Sequence, residues 1–355
     1  MKEIRIGNRV ISHRDCPYFI ADIAANHDGD INRAFLLIEL AKKSGADAAK
    51  FQNFKADKIV SDMGFKKMDG QLSHQKSWGK SVFEVYQDAS VDDQWTPLLK
   101  AKCNEVGIEY LTTAYDFESA DWADKYVNGF KIGSGDITWH EMLAHIASKK
   151  KPIMLATGAA TLKEVEMAMD IISKQISDIV LMQCNTNYTI DPDNFKYINL
   201  NVLKTYKEMY PDAVLGLSDH TMGFATVLGA IALGARVIEK HFTDDNNRAG
   251  PDHRFSTTPR DWEKMVIASK QLFSALGDGV KRIELNETGT SIVQKRGLYL
   301  LHNIPCGDMI NHSDLIPLRP RSEKGFEPYE IDRIVGKKAL KNLMAYEMLL
   351  RGDIE

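Results

Sequence analysis

Lysines and histidines stand at the ends of apolar runs in this 355-residue chain, where a soluble fold would bury them. Lys50 lies in DAAKFQNF (47–54) and Lys131 in GFKIGSG (129–135). A buried ammonium loses its hydration, so each needs an anion. One source is internal, through Asp22, Asp136 or Glu239. The other is a ligand: two lysines plus the hydroxyls of Thr113, Ser134 and Ser218 around one opening suit a dianionic phosphate or a carboxylate. His220 and His241 close two later runs, with Asp22, Asp219 and Asp252 available to add charge. A lone strand-end histidine is ordinarily a hydrogen-bonded structural residue. A pair of them, with oxygen ligands and open positions, suits Mn²⁺, Fe²⁺ or Zn²⁺ acting as a Lewis acid on a carbonyl.

The elements that must position these groups are eight short apolar runs: 18–25, 47–54, 108–114, 129–135, 152–158, 178–184, 213–219 and 235–242. Stretches with helical spacing, such as INRAFLLIELAKKSG and TLKEVEMAMDIISKQ, lie between them. Alternating strand and helix predicts right-handed βαβ crossovers. Eight units over roughly 240 residues match a (β/α)8 TIM barrel better than a doubly wound sheet. In a barrel the strand C-terminal ends face the site, and here they are polar: Asp22 with Asn26-His27, Lys50 with Gln52, Thr112-Thr113, Lys131 with Ser134 and Asp136, Ser218-Asp219-His220, and Glu239-Lys240-His241 followed by Asp252-His253. Residues 60–95 form a long insertion after the second strand, expected to be a partly helical lid.

The expected organisation is a barrel domain over 1–280, a polar linker over 281–297 and a small β-rich unit over 298–355, too short for a large core of its own. A net charge of −4 offers no basic field for nucleic acid or an anionic membrane. With 44% hydrophobic and 26% charged residues the chain is an ordinary globular one. Cys16, Cys103, Cys184 and Cys306 lie far apart without CxxC spacing, which predicts reduced thiols in a cytoplasmic protein. The charges that interrupt the apolar residues of MKEIRIGNRVISHRDC, and the shortness of every later apolar run against the ~18 residues of a span, lead us to expect neither a signal peptide nor a membrane span in this sequence.

The runs ADIAANHDGD (21–30), SGADAAKFQ (44–52), YLTTAYDFES (110–119), FKIGSGD (130–136), PIMLATGAAT (152–161), GLSDHTMG (216–223), ALGARVIEKHFT (232–243) and GPDH (250–253) resemble the sialic acid synthase family over nearly the whole chain. The tail from about residue 296, with IPCGDMI and LRP, resembles that family's antifreeze-like cap domain. The resemblance implies condensation of phosphoenolpyruvate with the aldehyde of an N-acetylated amino sugar, followed by C–O cleavage that releases phosphate. It assigns His220 and His241 to a divalent ion, Mn²⁺ first with Mg²⁺ or Co²⁺ also able to serve. It assigns Lys50, Thr113, Lys131, Ser134, Tyr188 and Ser218 to phosphoenolpyruvate, Asp22 and Asp136 to sugar hydroxyls or proton movement, and Asp252 to the water network beside the metal. It further implies a domain-swapped homodimer in which Arg319 of the cap, or its neighbour Arg321, reaches the acylamino group.

Asp22 and Asp136 stand where most members of that family carry Glu, and CNTNYT replaces a C-T-x-x-Y-P motif. These departures bear on the acceptor, which the sequence leaves open between N-acetylmannosamine and a diacetamido-trideoxyhexose. Two other classes stay in view: a phosphoenolpyruvate-dependent synthase that takes a phosphorylated aldose, and a non-catalytic sugar-binding module. The first needs a further phosphate-binding Arg/Lys set that the strand ends lack.

Overall fold

The structure is a computed structural model that describes residues 3–68, 75 and 78–355. Part of the expected lid, residues 69–74, 76 and 77, lies outside the described residues. The chain divides into two compact units, Met1–Gly277 and Asp278–Glu355.

In the larger unit, strands β1 (Ile4–Ile6) and β2 (Arg9–Ile11) form an antiparallel hairpin. Eight parallel strands follow: β3 (Tyr18–Asp22), β4 (Ala48–Asn53), β5 (Glu109–Ala114), β6 (Phe130–Ile132), β7 (Ile153–Ala156), β8 (Ile179–Cys184), β9 (Val214–Asp219) and β10 (Val237–His241). They close into a barrel, with β10 pairing β3. Each falls inside one of the eight runs expected from sequence, and helices connect them, so the (β/α)8 TIM barrel is the fold.

Local chemistry sets the helix ends. Asp30 caps the helix Ile31–Lys43 by accepting from the Asn32 amide, and Thr161 with Glu164 forms a capping box on Leu162–Ser173. The helix Trp95–Val106 stops at Gly107, whose φ of 73° is a left-handed conformation that favours glycine.

Because strand residues alternate in direction, every strand divides its side chains between two cores. Phe19, Ala49, Phe51, Phe130, Leu217 and Ile238 point outward into the layer shared with the helices. Ile20, Ala48, Leu111, Met154, Val180 and Val237 point inward, and Ile4, Ile6 and Ile11 of the hairpin pack against them. The hairpin is an addition to the eight expected strands. It seals the N-terminal end of the barrel with apolar side chains, so polar inward residues collect at the other end.

The described part of the 60–95 insertion holds helices at Asp62–Lys66 and Val82–Ala89, the second opened by a Ser81–Glu84 capping box. No helix among the described residues is long and apolar enough to cross a membrane.

The smaller unit is β-rich, with β11 (Gly297–Leu300) antiparallel to β12 (Leu315–Leu318) and several isolated bridges. Its core contains Leu298, Leu300, Ile310, Leu315, Ile334 and Leu349. Residues 285–293, inside the segment read as a linker, form helical turns, and Ile292 O accepts from the Arg321 amide. That segment is therefore tied to the smaller unit.

Candidate active site

The strand register brings the inward polar residues to one level. His241 pairs with Asp22 and Asp22 with Lys50; Gln52 pairs with Thr113 and Thr113 with Lys131; Cys184 pairs with Ser218 and Ser218 with Glu239. These pairings circle the barrel at the C-terminal ends of its strands, where barrel enzymes carry their chemistry.

Two buried carboxylates hold the two buried lysines. Lys50 Nζ donates to Asp22 Oδ2 at 2.7 Å and lies 3.9 Å from Glu239 Oε1, while Lys131 Nζ lies 3.4 Å from the same Glu239 oxygen. Gln52 Nε2 donates to Asp22 Oδ2 at 3.2 Å, and Ser218 Oγ to Glu239 Oε1 at 3.3 Å. Burial is the largest influence on Lys50 and pulls its pKa down, but Asp22 and Glu239 outweigh it and hold the ammonium charged. Of the two sources of anion considered from sequence, the internal one is present: both buried lysines face carboxylates. Glu239 Oε2 is buried without a hydrogen-bond partner.

His220 and His241 lie side by side, their ring centres 5.4 Å apart. His220 Nδ1 is 2.8 Å from the Asn185 carbonyl. A carbonyl only accepts, so this bond puts the proton on Nδ1 and leaves the Nε2 lone pair available. His241 Nδ1 is buried with no hydrogen-bond partner, and its Nε2 is 3.8 Å from Asp22 Oδ2. Burial, then the His220 and Lys50 charges, push the His241 pKa well below its ordinary value, which keeps the ring neutral. Neutral imidazole is the metal-binding form.

Two adjacent rings with unused lone pairs fit a divalent ion of the imidazole-and-oxygen class. Among the described residues no group of three His, Cys, Asp or Glu is placed to hold an ion, so further ligands would come from solvent or substrate. Asp252 Oδ2 lies 4.0 Å from His241 Nδ1 and accepts from the Ala25 amide at 3.2 Å.

Ser134 Oγ accepts from the Gly158 amide at 2.9 Å. A Cβ on Gly158 would stand 3.0 Å from that hydroxyl and 2.6 Å from Thr186 Cγ2, so glycine is needed for this close approach. Tyr188 packs over His220 with ring centres 4.3 Å apart and meets His241 and Phe255 edge-on or tilted.

Some strand-end residues named from sequence turn away from this cluster. Asp219 does not add charge beside the histidines: it points outward and accepts from Lys240 Nζ at 2.6 Å, with Thr221 and Thr226 on the same carboxylate. Thr112 also faces outward, donating to Asn53 Oδ1. Asn26 bonds Phe242 O and Ser256 Oγ, and buried His253 bridges Thr243 and Asp28, so both brace loops. Arg319 belongs to the smaller unit and is exposed, whereas Arg321 is committed there to Glu327 and the Ser291 carbonyl.

Sequence reasoning missed Tyr86, Tyr115, Cys184 and Phe255. The Cys184 thiol is 3.9 Å from His220 Nδ1, and Tyr115 and Tyr86 line a cavity with His241 and Asp252. Strand alternation would have flagged Cys184 and Tyr115, which continue the inward sets of β8 and β5. Nothing local marks Tyr86, which arrives on the insertion.

The NeuB family model matches residues 37–281, most of the barrel. The chain belongs to the NeuB family. Among its relatives are N,N'-diacetyllegionaminic acid synthase of Legionella pneumophila, 36% identical over 95% of this chain and 94% of that protein, and pseudaminic acid synthase of Campylobacter jejuni, 31% identical over 95% and 96%. A solved N-acetylneuraminic acid synthetase from Leptospira borgpetersenii, in complex with citrate, superposes with a TM-score of 0.70 at 27% identity, covering 81% of this chain and 95% of that one. Within this NeuB chain, residues 37–281 contain every inward polar strand residue described above except Asp22.

Asp136 stands at the rim, in the 3₁₀ turn Ser134–Asp136. Burial raises its pKa from 3.8 to about 6, with Lys131 opposing the shift. A carboxyl whose folded pKa is raised destabilises the fold above that pKa and ceases to do so below its unfolded value. Two pKa units correspond to ~2.7 kcal/mol, which partial exposure reduces to roughly 1–2 kcal/mol. Asp136→Asn is therefore expected to stabilise the protein by that amount at pH 7.5, with the gain vanishing towards pH 4. Denaturant unfolding at the two pH values checks this, and equal effects at both would remove the burial argument.

Proposed function

We propose that the protein is a nonulosonic acid synthase that joins phosphoenolpyruvate to the aldehyde of an N-acetylated amino sugar. The observation that carries the reading is the pairing, in one barrel mouth, of a two-lysine anion cradle with two adjacent imidazoles. The family membership and the printed activities of the relatives support it. In this reading Lys50, Lys131, Thr113, Ser134 and Ser218 hold phosphoenolpyruvate, with Tyr188 packed beside it. His220 and His241 hold a divalent ion, manganese first, which when bound supplies Lewis-acid polarisation of the aldehyde oxygen.

Carbon 3 of phosphoenolpyruvate forms the new bond to the aldehyde carbon, whose oxygen gains a proton. Water adds at C2, and the C2–O bond breaks as phosphate leaves, giving the keto acid. Asp252, whose pKa burial lifts to about 6, and Asp22, held by Lys50 and Gln52, are placed to move these protons. Phosphoenolpyruvate carrying ¹⁸O in its bridging oxygen tests the scheme. All of the label is expected in phosphate, and label retained in the sugar acid would overturn C–O cleavage.

The smaller unit serves as an antifreeze-like cap, exchanged between two subunits, that brings exposed Arg319 to the acylamino group. Arg319→Ala is expected to raise the acceptor KM by about tenfold or more, roughly 1.4 kcal/mol, with the phosphoenolpyruvate KM unchanged. An unaltered acceptor KM would remove Arg319 from the site. A synthase using a phosphorylated aldose is less favoured, since the inward side chains at the strand ends include no lysine or arginine beyond Lys50 and Lys131.

A further inference from the structure

The helix Val82–Ala89 of the insertion carries Tyr86 into the barrel mouth. Val82 is buried and anchors the first turn. The Tyr86 ring packs against Phe54, which directly follows β4, at 5.4 Å between ring centres, and against Trp78 at 6.4 Å. These ring contacts use carbon alone, so a phenylalanine would make them equally well. The hydroxyl has a different setting. Tyr86 lines a cavity of about 150 Å³ together with the polar side chains of Gln52, Tyr115, Tyr188, His241 and Asp252. Burial, then the charges of Asp252 and Asp136, raise the Tyr86 pKa, so the phenol oxygen lies within electrostatic reach of both carboxylates and keeps its proton. Among the described residues this hydroxyl makes no hydrogen bond. A half-buried phenol that gives up hydration without a protein partner is unfavourable unless another group takes the place of the water.

We infer that Tyr86 is an acceptor-binding residue: its hydroxyl donates a hydrogen bond to an oxygen of the open-chain sugar, which makes the helix Val82–Ala89 part of the acceptor site. The inference rests on the synthase reading above, in which the aldehyde lies at His241 and phosphoenolpyruvate at Lys50 and Lys131. Tyr86 lines the same cavity as His241, and neither lysine lines it, so the hydroxyl meets the acceptor rather than phosphoenolpyruvate. The donor type fits as well. Ionised Asp252 only accepts, a chain of sugar hydroxyls needs partners of both kinds, and a protonated phenol supplies a donor beside that carboxylate. Losing one neutral hydrogen bond to an uncharged ligand group weakens binding by about 3- to 10-fold.

The test is the steady-state kinetics of Tyr86→Phe and Tyr86→Leu, read as phosphate release from phosphoenolpyruvate with Mn²⁺, using N-acetylmannosamine and 2,4-diacetamido-2,4,6-trideoxymannose as acceptors. Tyr86→Phe keeps the ring packing and removes only the hydroxyl. It is expected to raise the acceptor KM by about 3- to 10-fold, with the phosphoenolpyruvate KM within about twofold of the parent and the melting temperature unchanged. Tyr86→Leu, which also loses the ring contacts with Phe54 and Trp78, is expected to be the more impaired of the two. A Tyr86→Phe variant with the parent's acceptor KM, beside an impaired Tyr86→Leu, reduces the residue to a packing anchor and overturns the inference. An equal rise in both KM values overturns it too, since the hydroxyl would then serve the mouth as a whole. Both of those outcomes leave the synthase reading intact, whereas a parent protein that releases phosphate with neither acceptor overturns that reading and this assignment together.

Discussion

Replacing His241 by alanine is expected to lower metal-dependent kcat/KM by about 10³-fold or more while the protein stays folded. Lewis-acid stabilisation of a developing alkoxide is worth several kcal/mol, and ~4 kcal/mol corresponds to a thousandfold in rate. The fold survives because His241 Nδ1 makes no hydrogen bond that the change would break. The space vacated adjoins an existing cavity, so little new void is created inside a packed core. Two readings separate the roles. Metal content after chelation and refilling should fall with activity, and circular dichroism with thermal unfolding should show a native-like variant. Activity within tenfold of the parent after refilling would take His241 out of the ligand set.

The second large effect is expected at Glu239, one of the internal anions considered from sequence. Its Oε1 faces Lys131 at 3.4 Å, Ser218 at 3.3 Å and Lys50 at 3.9 Å, all buried. Glu239→Gln keeps the shape and removes the charge. Lys50 retains Asp22, but Lys131 retains, among the described residues, the Ile132 carbonyl at 3.2 Å and the Asp136 charge at longer range. Breaking a buried pair and leaving one charge uncompensated destabilises by about 3–5 kcal/mol. Chemical unfolding of the variant without substrate should show that loss, and a change under ~0.5 kcal/mol would mean that Lys131 finds another partner. Phosphoenolpyruvate should raise the melting temperature of the variant more than that of the parent, because it supplies the missing anion to Lys131. Equal shifts would argue that the dianion sits away from this lysine.

Both expectations follow from a distribution of charge that the barrel makes affordable. Two lysines and two carboxylates balance in the inward layer before any ligand enters, so the cradle folds without one. In the proposed reading a bound phosphoenolpyruvate would bring further negative charge, which a divalent ion held by His220 and His241 would offset. The lowered His241 pKa is consistent with this order of events, since a permanently protonated ring would repel the ion.

Much of this was legible in the sequence because the barrel writes itself locally. Each apolar run is a strand buried on both faces, each intervening stretch carries helical periodicity, and caps such as Asp30 and Thr161 are set by neighbours three residues away or fewer. Lys50, Lys131, His220 and His241 stood out because such groups are expensive inside apolar runs. The facing of adjacent residues was not legible. Ser218 and Asp219 are neighbours, and a strand period of two sends one into the barrel and the other out, but a run apolar on both faces gives no phase. Only the pairing of Glu239 with Ser218, and of Lys240 with Asp219, decides that Asp219 meets Lys240 behind the sheet while Ser218 meets Glu239 in the mouth. Tyr86 and the cavity around it depend on where an insertion folds back. The sequence by itself determined the fold class and the chemical inventory, which are local properties of pattern and residue type. The tertiary structure decided which members of that inventory share a cavity, because the barrel closes by bringing residue 241 beside residue 22, a contact that no local pattern encodes.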